Sequence, residues 1–437
     1  MKQEANKAMA GVRLRVPERA QVLWKAECVD DLLPREHRAR TIWAVVSGLD
    51  LSGFHASIKA RQGEVGRDST DPRVLVSLWL YASLRGVGGA RELDRLCRES
   101  RPYQWLCGGV TVNYHLLSDF RVEHAEALDK LFTEVIATLV KKGLVKVRRI
   151  SQDGLRVRAS AGSGSFRRGS TLAKLRQESA EHMKRLRALL DDPESSAGLS
   201  AKQKAAKRRA ARERQERIEQ ALKLIPKLQE RQARSAKRLS ARQKKEQQKE
   251  PRASTSDSEA SRMKMGDGGF RPAVNVQLAV DTESRAVVGV GVTGEGTDYE
   301  QSEPMRAQVE QRTGRKVQEH LYDGGFVKTD AIERADEAGV TVYAPPKPPK
   351  NKDQRGDEFV PRPDDSEAIR RWRQRMGSDE GRAIYKERAS TVETINAQMR
   401  REGLTQLTVR GLGKARCVAL WAALAWNLTQ FAGALMS

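Results

Sequence analysis

Two runs of strict alternation near the middle of the chain constrain its fold more than any other feature. In "AVNVQLAVD", Val274, Val276, Leu278 and Val280 face one way while Asn275 and Gln277 face the other, and "AVVGVGV" repeats the alternation through Val288, Val290 and Val292. A period of two marks a strand with two unlike faces. The intervening "TESR" reads as a turn, so the pair is an antiparallel hairpin, and its remaining sheet partners must come from elsewhere in the chain.

Short β-prone segments supply those partners. "VKVRRISQDG" starts at Val145 and ends on Asp153 and a glycine; "VQEHLYD" follows a helix through "QSEPMRAQVEQRTG" and ends on Asp323, again before glycines. "AIERADEAG" reads as helix, "VTVYAPP" as strand, and a long helix runs from about Glu380 through Glu402. The order β, insertion, β, β, α, β, α, β, α, α opens antiparallel and continues in βαβ units. It predicts an α/β fold with a mixed sheet flanked by helices, the order of an RNase H-like core.

Residues 1–144 read as all-α. "DPRVLVSLWLYASLRG", "VGG" and "ARELDRLCRES" form a helix, tight turn, helix unit whose second helix displays Arg91, Arg95 and Arg98, as a helix lying near phosphates would. On spacing alone, a helical hairpin with solvated arginines fits equally well. "HLLSDFRVEHAEALDKLFTEVIATLVKKGLV" predicts one long amphipathic helix. Between the first and second strands lies an insertion, residues 171–262, whose stretch 201–250 holds 18 Lys/Arg against 6 Glu. Leu222, Ile225 and Leu228 offer a thin apolar seam, and Pro226 is expected to kink or end a helix. Long helices in a hairpin or weak coiled coil are expected, followed by a polar linker, "EPRASTSDSEASR". The competing readings are a charged spacer and a protomer-pairing seam.

That insertion carries about half of a net charge of +23, in a chain whose pI is near 10. Such an excess points to a polyanionic partner, nucleic acid first; a ribosome or an anionic membrane surface would give the same balance. The four cysteines are scattered without a CxxC pair, which argues against a zinc site and a disulfide framework and for a reducing, cytoplasmic setting. The N-terminus lacks the apolar stretch of a secretory signal, and the tract Val418 to Trp426 falls short of the ~20 residues a membrane span requires. The histidines show no ligand spacing, and Gly268 and Gly269 lack the Lys-Ser/Thr of a phosphate loop, so no nucleotide cofactor is expected.

In the expected topology the first and fourth strands are central neighbours, and the late helix crosses their ends. Asp153, Asp323 and Glu393 would then converge. Acids without His or Cys partners form a hard-oxygen site suited to Mg²⁺ or Mn²⁺, and two such ions can activate a nucleophile and stabilise the leaving oxygen at a phosphodiester. In "IYKERASTVETINAQMRREG", winding at 100° per residue puts Tyr385, Arg388, Val392, Asn396 and Arg400 on one side of a helix with Glu393 at its margin.

That helix resembles the Tyr-Arg-Glu-Lys signature of bacterial insertion-sequence transposases of the DDE superfamily, carried here by Tyr385, Arg388, Glu393 and Arg400, with Arg in place of the family's usual Lys. "DPRVLVSLWLYASLRGVGGARELDRLC", "HLLSDFR", "MKMGDGGFRPAVNVQLAVD", "LYDGGF" and "RGLGKARCVALWAALAWNL" extend the resemblance over nearly the whole chain, and "DGL" departs from the commoner Asp-Gly-Thr. The resemblance implies a DNA transposase that binds the inverted-repeat ends of its element and carries out metal-dependent strand cleavage and transfer. It implies Asp153, Asp323 and Glu393 as catalytic acids on two Mg²⁺ or Mn²⁺ ions, with Tyr385, Arg388 and Arg400 on DNA and a homodimer assembled on it at the nucleoid. The layout becomes a helical DNA-binding domain (1–144), the first strand of the catalytic core (145–170), the basic insertion (171–262), and the rest of the core with closing helices (263–437). A catalytically silent DNA-binding relative and a basic RNA- or ribosome-associated structural protein are the alternatives.

Overall fold

The computed structural model describes residues 19–436 apart from 21, 23–25, 57, 59, 61–67, 237–249 and 350–356, so the end of the basic run, 237–249, lies outside the described residues. The strands are β1 (Arg149–Arg158), β2 (Phe166–Arg168), β3 (Arg252–Ser254), β4 (Ser261–Lys264), β5 (Phe270–Asp281), β6 (Val287–Thr293), β7 (Glu319–Leu321) and β8 (Thr341–Tyr343). The main sheet runs β4-β5-β1-β7-β8, with β6 paired to β5. β1 is antiparallel to β5 and parallel to β7, and β7 is parallel to β8, so the sheet is mixed.

The β5–β6 hairpin forms as its alternation predicts, with a bulge between Ala279 and Val280. Its polar face is not solvated, however: Asn275 and Gln277 are each 1% exposed. The loop after β6 and the helix that follows it pack over that face, so the alternation encodes two buried faces of different polarity. β1 also differs from expectation. It continues to Arg158, because β5 pairs with it as far as Arg158↔Ala273, and Asp153 therefore lies within the strand rather than at its end.

The helices before β1 are α1 (Arg38–Ser47), α2 (Ser52–His55), α3 (Pro72–Leu84), α4 (Ala90–Glu99), α5 (Arg101–Cys107), α6 (Tyr114–Glu123) and α7 (Ala125–Lys141). The expected single helix over α6 and α7 is broken at His124, whose ψ of 40° leaves the helical region. Its ring packs against Phe54 and Phe120, with centroids 5.7 and 5.0 Å away.

The insertion forms two long helices, α8 (Gly169–Asp191) and α9 (Ala201–Ala236), packed as a hairpin. Pro226 does not end the helix: α9 continues past it. The ring deletes one backbone hydrogen bond, but Ala221 and Ile225 are buried with Leu172 of α8 and Ala253 of β3, with Leu222 and Leu228 packed around them, and this packing holds the helix together. The seam is thus filled from within the chain. The expected linker is partly ordered as strand: β3 pairs with β2 at the base of the hairpin and β4 forms an edge of the main sheet.

Beyond β6 come α10 (Ser302–Thr313), α11 (Thr329–Glu337), α12 (Glu367–Gly377), α13 (Asp379–Arg388), a π-helical turn (Ala389–Glu393), α14 (Thr394–Arg401), α15 (Leu412–Gln430) and α16 (Ala432–Met436). α15 packs on β6, α3 and α7 together. The Asn427 amide donates to Val287 O at 2.8 Å and accepts from Val287 N at 2.9 Å, and Trp421 Nε1 donates to Arg121 O at 3.1 Å. One apolar core therefore runs from the N-terminal helices through α15 into the sheet. Among the described residues no helix is long and apolar enough to cross a membrane.

Candidate active site

The parallel pairing of β1 with β7 ends at Ser151↔Leu321. Asp153 and Asp323 each stand two residues beyond that pair, where the two strands diverge, near enough for the charge of Asp323 to act on Asp153. Asp323 starts a tight turn, its Oδ1 accepting from Gly325 N at 2.5 Å. At the opposite, starting end of the β1–β7 pair, Arg149 ties the late helix to the sheet, binding Glu319 of β7 and Glu387 of α13 at 2.6 Å each.

The third acid arrives through the π-helical turn. Such a turn holds one residue more than an α-helical turn, so Glu393 meets Arg388 five positions earlier rather than four. The Arg388 guanidinium bridges two acids: Nη2 lies 3.2 Å from Asp153 Oδ1, and Nη1 donates to Glu393 Oε1. Asn396 completes the grip, its Nδ2 donating to Asp153 Oδ2 at 2.9 Å. The Arg388 side chain is 11% exposed, that of Asp153 20% and that of Glu393 46%, so the bridge opens to solvent on the Glu393 side.

Burial raises the Asp153 pKa, the negative charges of Asp323 and Asp298 add to the rise, and Arg388 opposes it. Burial also works against the charge of Arg388, yet Asp153, Tyr385 and Glu393 together leave its pKa raised. The Tyr385 phenol is pushed up mainly by burial. Among the described residues no three His, Cys, Asp or Glu side chains stand close enough to hold a metal ion. Two of the expected acids are linked by a guanidinium, and the third lies in the turn that follows the adjoining strand.

The remaining expected residues are elsewhere or otherwise engaged. Val392 is buried in the core, Tyr385 is partly buried against the same core, and Arg400 is exposed. On α4, Arg95 is paired with Glu92 and Glu99, Arg98 with Asp94, and Arg91 lies over the Tyr114 ring at 5.1 Å.

Asp298, in the loop after β6, is a neighbour that sequence reasoning missed. It lies against Gly154 on the other face of β1, where it accepts from Asn275 Nδ2 at 2.7 Å and Gln277 Nε2 at 2.6 Å. A Cβ on Gly154 would stand 2.3 Å from Asp298 Oδ1, so glycine at that position is a requirement of close approach. The polar members of the β5 alternation were the available signal.

A mixed sheet with a late helix tied across it through Arg388 is an α/β architecture. Residues 347–432 match the family model described as Transposase DDE domain, and residues 27–123 match Transposase domain (DUF772). Together these matches support an insertion-sequence DDE transposase. No curated protein and no solved structure matches the chain.

Proposed function

We propose that this chain binds the inverted-repeat ends of its own element and carries out metal-dependent strand cleavage and transfer. The observation that carries the reading is the single guanidinium joining Asp153 of β1 to Glu393 of the late helix, because it brings acids 240 residues apart in sequence to one cation. In this reading the mixed sheet is an RNase H-like core, residues 1–144 bind DNA, and the insertion 171–262 adds phosphate contacts.

The donor set fits Mg²⁺ or Mn²⁺: Asp153, Asp323 and Glu393 offer only carboxylate oxygen, and two of them already share a positive charge. Bound divalent ions would supply charge stabilisation at the attacking and leaving oxygens of the phosphodiester. The chain's own residues do the rest. Asn396 orients Asp153, Arg149 ties the helix to the start of the β1–β7 pair, and Arg388 is the counter-charge of the resting acids. On engagement Arg388 turns from the carboxylates to a DNA phosphate, with Tyr385 and Arg400 beside it. Arg91, Arg95 and Arg98 exchange their surface acids for backbone phosphates, a switch that costs little because exposed ion pairs are worth only about 0–1 kcal/mol. A homodimer holds the two ends together.

The test uses a donor plasmid carrying the gene's own flanking DNA. Mg²⁺-dependent nicking at the element's ends is expected, and Asp323→Asn should abolish it while leaving end binding intact or improved. Parallel loss of binding and nicking would make Asp323 structural. No nicking by the unaltered protein with either ion would defeat the reading.

A further inference from the structure

Beyond the C-terminal end of β1 the surface opens into two joined cavities, of about 500 and 660 Å³, which share Ser160, Ser256 and Arg410. One wall is α9 of the insertion, through Glu213, Arg217 and Gln220; the other is the segment between α14 and α15. This segment is stitched to the strand end: Arg158 N donates to Thr405 O at 2.9 Å and Leu407 N to Arg158 O at 2.7 Å.

The charges in this groove do not cancel. Its acids Asp257 and Glu259 are turned to the N-terminus of α15, accepting from Gly411 N at 3.2 Å and Leu412 N at 2.9 Å, where the helix dipole and unpaired N–H groups favour them. Arg217 is matched by Glu213 at 3.6 Å and Arg271 by Asp267 at 2.7 Å. Arg158, Arg410 and Lys414 are exposed and form no ion pair among the described residues; Arg410 Nε donates only to Ser160 O, at 3.2 Å. Three cations converge on a polar groove whose own carboxylates are engaged elsewhere.

We propose that this groove holds the phosphodiester backbone of the duplex that enters the acid site, with the insertion closing over it. The inference rests on the DNA reading above and adds to it where the duplex lies. Arg158 is five residues past Asp153 along β1, about 17 Å of extended strand. Five is an odd spacing on an unbroken strand, so the Arg158 side chain lies on the sheet face opposite Asp153, and a duplex at the acids reaches the groove around the end of β1.

The experiment measures binding of an end-sequence duplex to the full chain by fluorescence anisotropy over a range of salt. The variant R158Q/R410Q/K414Q should flatten the slope of log K against log salt by about 0.9 for each phosphate that is no longer neutralised. Its charge-keeping counterpart R158K/R410K/K414R should keep the slope, which separates removal of charge from misfolding. Neutral methylphosphonates stepped one position at a time along the duplex should weaken binding to the unaltered protein at the phosphates the groove holds and leave the Gln variant nearly indifferent at those positions. The groove is overturned by an unchanged slope in the Gln variant. Absence of salt-dependent DNA binding in the unaltered protein would instead defeat the DNA reading itself.

Discussion

Arg388 is the residue on which the resting site turns. A guanidinium shared by two acids competes with any divalent ion for the same oxygens, and a charged hydrogen bond is worth about 1.5–3 kcal/mol. Arg388→Ala should therefore bind Mn²⁺ about tenfold more tightly or better in titration calorimetry, while losing affinity for DNA. Weaker Mn²⁺ binding would mean that Arg388 organises the carboxylates rather than competing for them. A second residue, His320 of β7, gives the fold a pH signature. It is buried, its Nε2 has no hydrogen-bond partner, and burial pushes its pKa down to about 3. The unfolded chain takes up a proton near pH 6.5 that the folded chain refuses, so the stability this group contributes is full above that pH and is lost as pH falls toward 3. Urea midpoints should drop over that window by up to about 1.4 kcal/mol per pH unit from this group, and His320→Leu should flatten that part of the profile.

At the scale of elements, the π turn decides where Glu393 points. Thr394 Oγ1 donates to Ala389 O at 3.0 Å, a five-residue reach like that of Arg388 to Glu393. Deleting Ser390 should restore α-helical spacing. Keeping α14 in its packing would then rotate the preceding segment by about 100°, away from Asp153. The expected outcome is a folded protein, lower in melting temperature because α13 gives up the Glu387 contact with Arg149, that no longer nicks DNA while the unaltered protein does. Retained nicking would show that the extra residue is incidental. The insertion hairpin teaches the same lesson about context. Its apolar seam is too thin to hold a free helix pair, yet it suffices against Leu172 and Ala253 at the base of the hairpin.

Across the whole molecule, the N-terminal helices and the sheet share α15. Trp421 is buried between them, and Gly86 and Gly403, both at positive φ, meet so closely that a Cβ on Gly403 would stand 2.5 Å from Gly86 Cα. Trp421→Ala should cost about 3–5 kcal/mol, and urea unfolding followed by both tryptophan fluorescence and circular dichroism should remain one transition at a lower midpoint. Two separated transitions would show that residues 1–144 fold as a unit of their own.

Sequence alone determined the local and the periodic. It specified the β5–β6 hairpin through its alternation, the helix, turn, helix unit around Gly88 and Gly89, the basic helical insertion, and Asp153, Asp323 and Glu393 as the residues to watch. These follow from side-chain period, turn chemistry and charge, which act between near neighbours in the chain. Tertiary structure decided what depends on distant partners. Pairing with β5 carried β1 past Asp153, packing at Phe54 and Phe120 broke the helix at His124, and packing at the hairpin base carried α9 on past Pro226. The link from Asp153 through Arg388 to Glu393, and the amides that seat Asp298 against Gly154, join residues far apart in sequence. An interaction of that kind has no period and no local propensity, so it comes into being only when the strands and the late helix are packed together.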